Sequence, residues 1–336
     1  LVIGLTTYAV LHGQDVGEIA DLIKTADLKY VMAAMLCVVV FLLSESLNTW
    51  LLFMDVGYRF SFWKAWLYST AGFFFAYSTP FGVAAMPAQL IYMRKDKIPS
   101  SVATSVLIFK SITYKGVLSV SGIFLLLFRF NQIRDTLGGS VYLFYLGVSL
   151  VTGYVLFFSV AFLNTEFLKN LCGKVIFLLG KIRIIKDPEN FDARSRRFLD
   201  SYKAGFLAMG TNIWRVLKSF VISAVQRFVY VLVTWFIYLS LGLSGDSCLK
   251  ISALQLIIYI TVDLLPLPGG SGIYELLFSI IFINIFVGDT LVPGLLLSRG
   301  VAYYTQLAIC LIMVIIMNAV TRRQTKINID NEEDLP

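Results

Sequence analysis

Asp263-Leu264-Leu265-Pro266-Leu267-Pro268-Gly269-Gly270-Ser271-Gly272-Ile273-Tyr274-Glu275 breaks an apolar run that begins at Ile251 and continues to Val287. Lipid offers no hydrogen-bond partner to a broken backbone. Such a break is tolerated at membrane depth only where protein or a water-filled cavity covers it. An earlier stretch, Ser78-Thr79-Pro80-Phe81-Gly82-Val83-Ala84-Ala85-Met86-Pro87, has the same character. A matched pair of Gly/Pro-interrupted segments, one in each half of a chain, points to a transport site.

Composition agrees with a membrane setting. Of the 336 residues, 58% are hydrophobic and 15% charged, and the mean hydropathy is +0.78. One soluble core cannot hide that much apolar surface. Repeated apolar runs of about 20 residues read as membrane-spanning helices. The formal charge of +7 fits cytoplasmic loops rich in Lys and Arg, with added affinity for anionic headgroups. No soluble stretch is long enough for a nucleic-acid module, so no nucleic-acid partner is expected. Cys37, Cys172, Cys248 and Cys310 are scattered and His12 is the single histidine. That excludes zinc-type ligand spacing, a disulfide scaffold and histidine catalysis; neither metal nor cofactor is expected.

Charge and hydropathy along the chain give a topology. Leu1 to Leu11 reads as the tail of a helix, and 13–29 as an outward loop. Spans are expected at about 30–54, 101–128, 140–163, 219–243 and 291–320. The segment 62–93 is flanked by basic residues on both sides (Arg59, Lys64; Arg94, Lys95), so both of its ends face the cytoplasm. It reads as a re-entrant hairpin broken at Pro80, Gly82 and Pro87. The segment 251–287 has weakly charged flanks and reads as a second hairpin of opposite orientation, broken at Pro266, Pro268, Gly269, Gly270 and Gly272. Residues 165–203 are strongly basic with interleaved Phe177, Leu178 and Ile182, which suits either an amphipathic helix on the inner leaflet or a solvated loop. Residues 328–336 are acidic and read as a disordered tail. The expected fold is an all-α polytopic membrane protein with about six full spans and two opposed hairpins, an inverted repeat in one domain over 1–327.

Ionisable residues inside the spans are the candidate site. Glu45, Lys110, Lys115, Arg227 and Arg299 fall within apolar helices, with Gln89 and Gln306 as nearby polar groups. Each charge buried alone would cost on the order of 3 kcal/mol, so they should face one another or a wet cavity. Arg215 and Lys218 read as snorkelling to the inner interface. Asp263 precedes the second break, to cap it or to pair with a cation. Glu275 lies in the first turn of the helix after it. There it is either a favourable N-terminal carboxylate or the partner of a cationic headgroup or an arginine. Basic groups outnumber acids, so an anionic phospholipid headgroup would balance them. The abundant Tyr and Phe read as interfacial belt residues without a role.

Through Pro266, Pro268, Gly269, Gly270, Gly272 and Glu275, with Arg299 in the following helix, the chain resembles the transmembrane family of lysylphosphatidylglycerol synthase/flippase proteins. This is the membrane half of the multiple peptide resistance factor. The first break is similar but departs: Phe81 stands where Gly is usual, and Met86-Pro87 where Glu-Pro is usual. The resemblance implies a bacterial plasma-membrane protein with both termini cytoplasmic. It implies movement of a phospholipid, such as aminoacylated phosphatidylglycerol, between leaflets. A separate cytosolic domain makes that lipid in the family, so no catalytic residue is expected here; a separate synthase or a second copy of the chain are the partners it suggests. Two other classes stay open: an intramembrane transferase acting on a lipid carrier, and a membrane scaffold for a separate lysyltransferase. The transferase reading lacks acid pairs or histidines in the cytoplasmic loops.

Overall fold

A computed structural model describes residues 16–79, 82–181, 192–193, 195–196, 199–200, 212–265 and 267–333. Among these residues the structure is helical and has no strand. The segment Leu1 to Leu11, Pro80, Pro266 and much of the basic stretch after 181 lie outside the described residues.

The described helices are α1 (Val16–Thr25), α2 (Leu28–Asp55), α3 (Phe62–Ser78), α4 (Ala85–Lys95), α5 (Ser100–Phe128), α6 (Phe130–Leu137), α7 (Val141–Leu163), α8 (Thr165–Lys181) and α9 (Ile213–Ser240). They continue with α10 (Cys248–Val262), α11 (Ile273–Phe282), α12 (Leu291–Arg299) and α13 (Gln306–Glu333). Among the described residues, five segments are long and apolar enough to cross a bilayer: 28–55, 100–128, 130–161, 213–240 and 288–319. They coincide with five of the about six spans expected from hydropathy; the run Leu1 to Leu11 lies outside the described residues. Large apolar side chains on them point outward, among them Met32, Leu36, Phe124, Leu156 and Ile315. A soluble protein would not leave so many uncovered; a bilayer covers them.

Helix length separates the hairpins from the spans. At 1.5 Å per residue, α2 reaches about 42 Å, more than the ~30 Å hydrocarbon core. Helix α3 reaches about 25 Å and α4, α10 and α11 only about 15–23 Å, too short to cross alone. Each pair instead folds back on itself. At the first hairpin, Lys64 and Tyr68 near the start of α3 both reach the carboxylate of Asp96, just past α4. At the second, Tyr238 receives the backbone N–H of Asp246 before α10 and packs against Phe286 after α11. Inside that hairpin Gln255 donates to the Tyr274 hydroxyl at 3.0 Å.

Helices α2 and α9 pack along one another at the centre. They are antiparallel: Asp27 N–H donates to the Ser240 carbonyl at one end, and Lys218 lies 3.3 Å from Asp55 at the other. The first hairpin follows α2 at the Asp55 end. The second follows α9 at the Ser240 end. The hairpins therefore approach from opposite ends of the central pair, and their breaks meet: α3 touches the 268–270 turn, and the Tyr303 hydroxyl lies 3.5 Å from the Tyr77 carbonyl oxygen.

The structure corrects several expectations. The connection between the spans expected at 101–128 and 140–163 contains the helix α6, because Ile133 and Leu137 recur one turn apart and both are buried. Pro87 is not part of the first break. It is the third residue of α4, where a missing N–H breaks no helical bond. The last span is not a uniform α-helix, since Gly300–Thr305 forms a π-helical insertion between α12 and α13. Helix α13 runs from Gln306 to Glu333. No Gly or Pro stands between Ala319 and Glu333 to stop it.

Candidate functional site

Both breaks open into one cavity of about 610 Å³. Thr79, Gly82 and Pro87 line it from the first hairpin, and Asp263, Leu267, Gly269 and Gly270 from the second. Glu45, Lys110, Lys115, Arg227, Arg299 and Gln89 also line it. Residues from nine helices, α2 to α5, α7 and α9 to α12, thus converge on a space their sequence positions do not reveal.

The backbone of the second break is shaped by close approach. Gly269 has φ +58, and a Cβ there would lie 2.3 Å from the Tyr303 ring. Only glycine satisfies both the left-handed backbone and the contact. Gly272, at φ +92, is the N-cap of α11. Its N–H donates to Glu275 Oε2 at 2.6 Å, half of a capping box with the acid at N3. Glu275 is therefore a helix-capping carboxylate. It is also an ion-pair partner: Arg299 Nε lies 2.9 Å from Oε1. Arg299 Nη2 reaches Ser271 Oγ at 3.3 Å, and the guanidinium stacks 4.3 Å from the Tyr274 ring centroid and 5.0 Å from Tyr303. The π-helical insertion follows Arg299 directly and carries Tyr303. Glu275 backs Arg299 and does not line the cavity.

A second pair joins α2 to α5. Lys110 Nζ lies 2.6 Å from Glu45 Oε1, both nearly buried, and donates to Thr49 Oγ1 at 2.9 Å. Gln226 on α9 donates to Glu45 Oε2 at 3.0 Å. A third pair joins Lys115 on α5 to Asp263 at the end of α10, with Lys115 over the Tyr154 ring at 5.2 Å. The sequence suggested that Glu275 could hold a cationic headgroup, that Asp263 could pair with a cation, and that Glu45 should face another charge or a wet cavity. In the structure each already holds a cation of the chain itself.

Arg227 is different. It is 5% exposed and sits against three tyrosine rings: Tyr114 at 4.6 Å, Tyr259 at 5.4 Å and Tyr230 at 5.9 Å. No acidic side chain comes within ion-pair distance of it among the described residues, and its Nε has no hydrogen-bond partner.

Two glutamines divide. Gln89 lines the cavity with an unpartnered Oε1. Its amide occupies the place a side chain on residue 72 would need: a Cβ at Gly72 would lie 1.7 Å from Gln89 Nε2. Gln306 lies behind the wall, accepting from the hydroxyls of Tyr77 at 2.9 Å and Tyr230 at 3.1 Å. Arg215 and Lys218 stay near Asp55 at the end of the bundle, away from the cavity. Pro80 and Pro266 lie outside the described residues, and Pro268 opens the 268–270 turn.

The tyrosines are what sequence reading missed. A faint signal exists: Tyr114 adjoins Lys115, and Tyr230 follows Arg227 by one helical turn, on the same face.

An all-α, multi-pass membrane protein with a mostly apolar cavity, set with ion-paired side chains, between two broken hairpins is the class that fold and site define. The sequence profile of the lysylphosphatidylglycerol synthase TM region family matches residues 1–310. The chain belongs to that family, which supports a role tied to membrane lipid. None of the curated proteins compared with the chain matches it.

Proposed function

We propose that the protein moves a phospholipid between the leaflets of a bacterial plasma membrane, with both termini cytoplasmic. The supporting observation is the shared cavity: two helical hairpins that approach from opposite ends of the central helix pair open into one space whose wall carries ion-paired side chains. The headgroup crosses through that space while the acyl chains stay in lipid. The ion pairs place polar groups in a largely apolar wall, and each cation is either paired or stacked on aromatic rings, which offsets its removal from water. Transport is then a downhill exchange or is driven by an ion gradient.

Reconstitution into liposomes with a headgroup-labelled phospholipid tests this. The protein should carry label to the far leaflet faster than protein-free liposomes do. Ala76→Trp fills the cavity while leaving every ion pair in place, and should slow the exchange with the melting temperature nearly unchanged. Rates equal to protein-free liposomes would refute transport. Mass spectrometry of the recovered lipids separates it from transferase chemistry, which would change their mass.

A further inference from the structure

We infer that the cavity selects a phospholipid of net negative charge, with its phosphodiester held at Arg227, and disfavours an aminoacylated one. This rests on the transport reading above and names the substrate class of the same site.

The argument is one of unmatched partners. The three carboxylates at the site are all engaged: Glu45 by Lys110, Asp263 by Lys115 and Glu275 by Arg299. One net positive charge remains, on Arg227. Its guanidinium is held by tyrosine faces, which stabilise a cation but leave its N–H groups without acceptors. The Nε is buried and unpartnered, and so is the nearby Tyr259 hydroxyl. Both residues line the cavity. Two unsatisfied donors, one of them charged, form a seat for a monoanionic oxyacid, and a planar guanidinium suits two phosphate oxygens at once. A lysyl headgroup brings ammonium groups that meet no open carboxylate. To bind, they would have to displace Lys110, Lys115 or Arg299 from its partner.

Native mass spectrometry of the intact protein in detergent, with phosphatidylglycerol, phosphatidylcholine and lysylphosphatidylglycerol at equal concentration, reads the selection. A charge-assisted hydrogen bond sets a preference of about tenfold or more. Phosphatidylglycerol should therefore exceed both others by about that factor. Arg227→Gln should abolish the preference, Arg227→Lys should keep part of it, and Tyr259→Phe should reduce it less. Arg227→Lys keeps the charge, so it guards against simple misfolding. Preference for lysylphosphatidylglycerol, or equal selection by wild type and Arg227→Gln, would overturn the inference. Inorganic phosphate and glycerol 3-phosphate should not compete; competition at equal concentration would make this a small-anion site and overturn the lipid assignment. Charge-selective binding without movement in liposomes would refute transport and leave the seat standing. Movement without charge preference would do the reverse.

Discussion

Replacing Glu275 by Gln removes the charge facing Arg299 and keeps the shape of the side chain. The amide oxygen still accepts from the Gly272 N–H, so the helix cap survives and the ion pair alone is lost. The side chains of Arg299 and Glu275 are only 11% and 15% exposed. Removing one partner of such a pair costs about 3–5 kcal/mol, because the other charge stays buried without compensation. Arg299 retains two tyrosine faces and Ser271, which places the loss at the lower end, about 3 kcal/mol. Arg299→Met removes the other charge and should cost a similar amount. The double variant leaves no unpaired charge, so its loss should fall well short of the sum. Chemical unfolding in detergent across the cycle measures the coupling, with about 2 kcal/mol expected. Additive losses, or a Glu275→Gln protein as stable as wild type, would show that the pair does not hold the break to the last span.

Three further outcomes follow from particular contacts. Gly269→Ala should lower stability by about 2–5 kcal/mol, from the left-handed backbone plus the clash with Tyr303. Gly57→Ala is the control: it shares a positive φ but has nothing within 4 Å of the new Cβ, and losses of equal size would remove the close approach. Gly72→Ala should expel Gln89 from its place and destabilise by about 1–3 kcal/mol, and adding Gln89→Ala should recover most of the loss in a thermal melt. In intact cells, Cys248 and Cys172 are half-buried while Cys37 and Cys310 are buried. An impermeant maleimide should therefore label Cys248 from outside, Cys172 only after permeabilisation, and the other two only after unfolding. Labelling of Cys172 from outside would invert the proposed topology.

Much of the architecture was legible because the bilayer imposes it. Runs of apolar residues long enough to cross lipid have few alternatives, so five of the about six expected spans are found among the described residues. The second helix break was legible for a related reason: Pro268 and the glycines after it interrupt the helix, and lipid cannot satisfy a broken backbone. Finer features were not. Helix α6, the π-helical insertion and the helical placement of Pro87 depend on local contacts and on one extra residue per turn, which leave no periodic trace.

The sequence by itself established that this chain lives in a membrane, that it carries two broken segments, and that charges lie where lipid would not tolerate them alone. It could not say which charges were matched. Glu45 and Lys110 are 65 positions apart in the chain, and Lys115 and Asp263 are 148 apart, and no spacing rule joins such residues across different helices. Tertiary packing settled each pairing, because a buried ion must find its counter-ion wherever the helices place one. It also singled out Arg227, whose neighbours are aromatic faces and a cavity where the other three cations have carboxylates. That difference exists only in three dimensions, since solvation and Coulomb energy depend on distance in space and not on position along the chain.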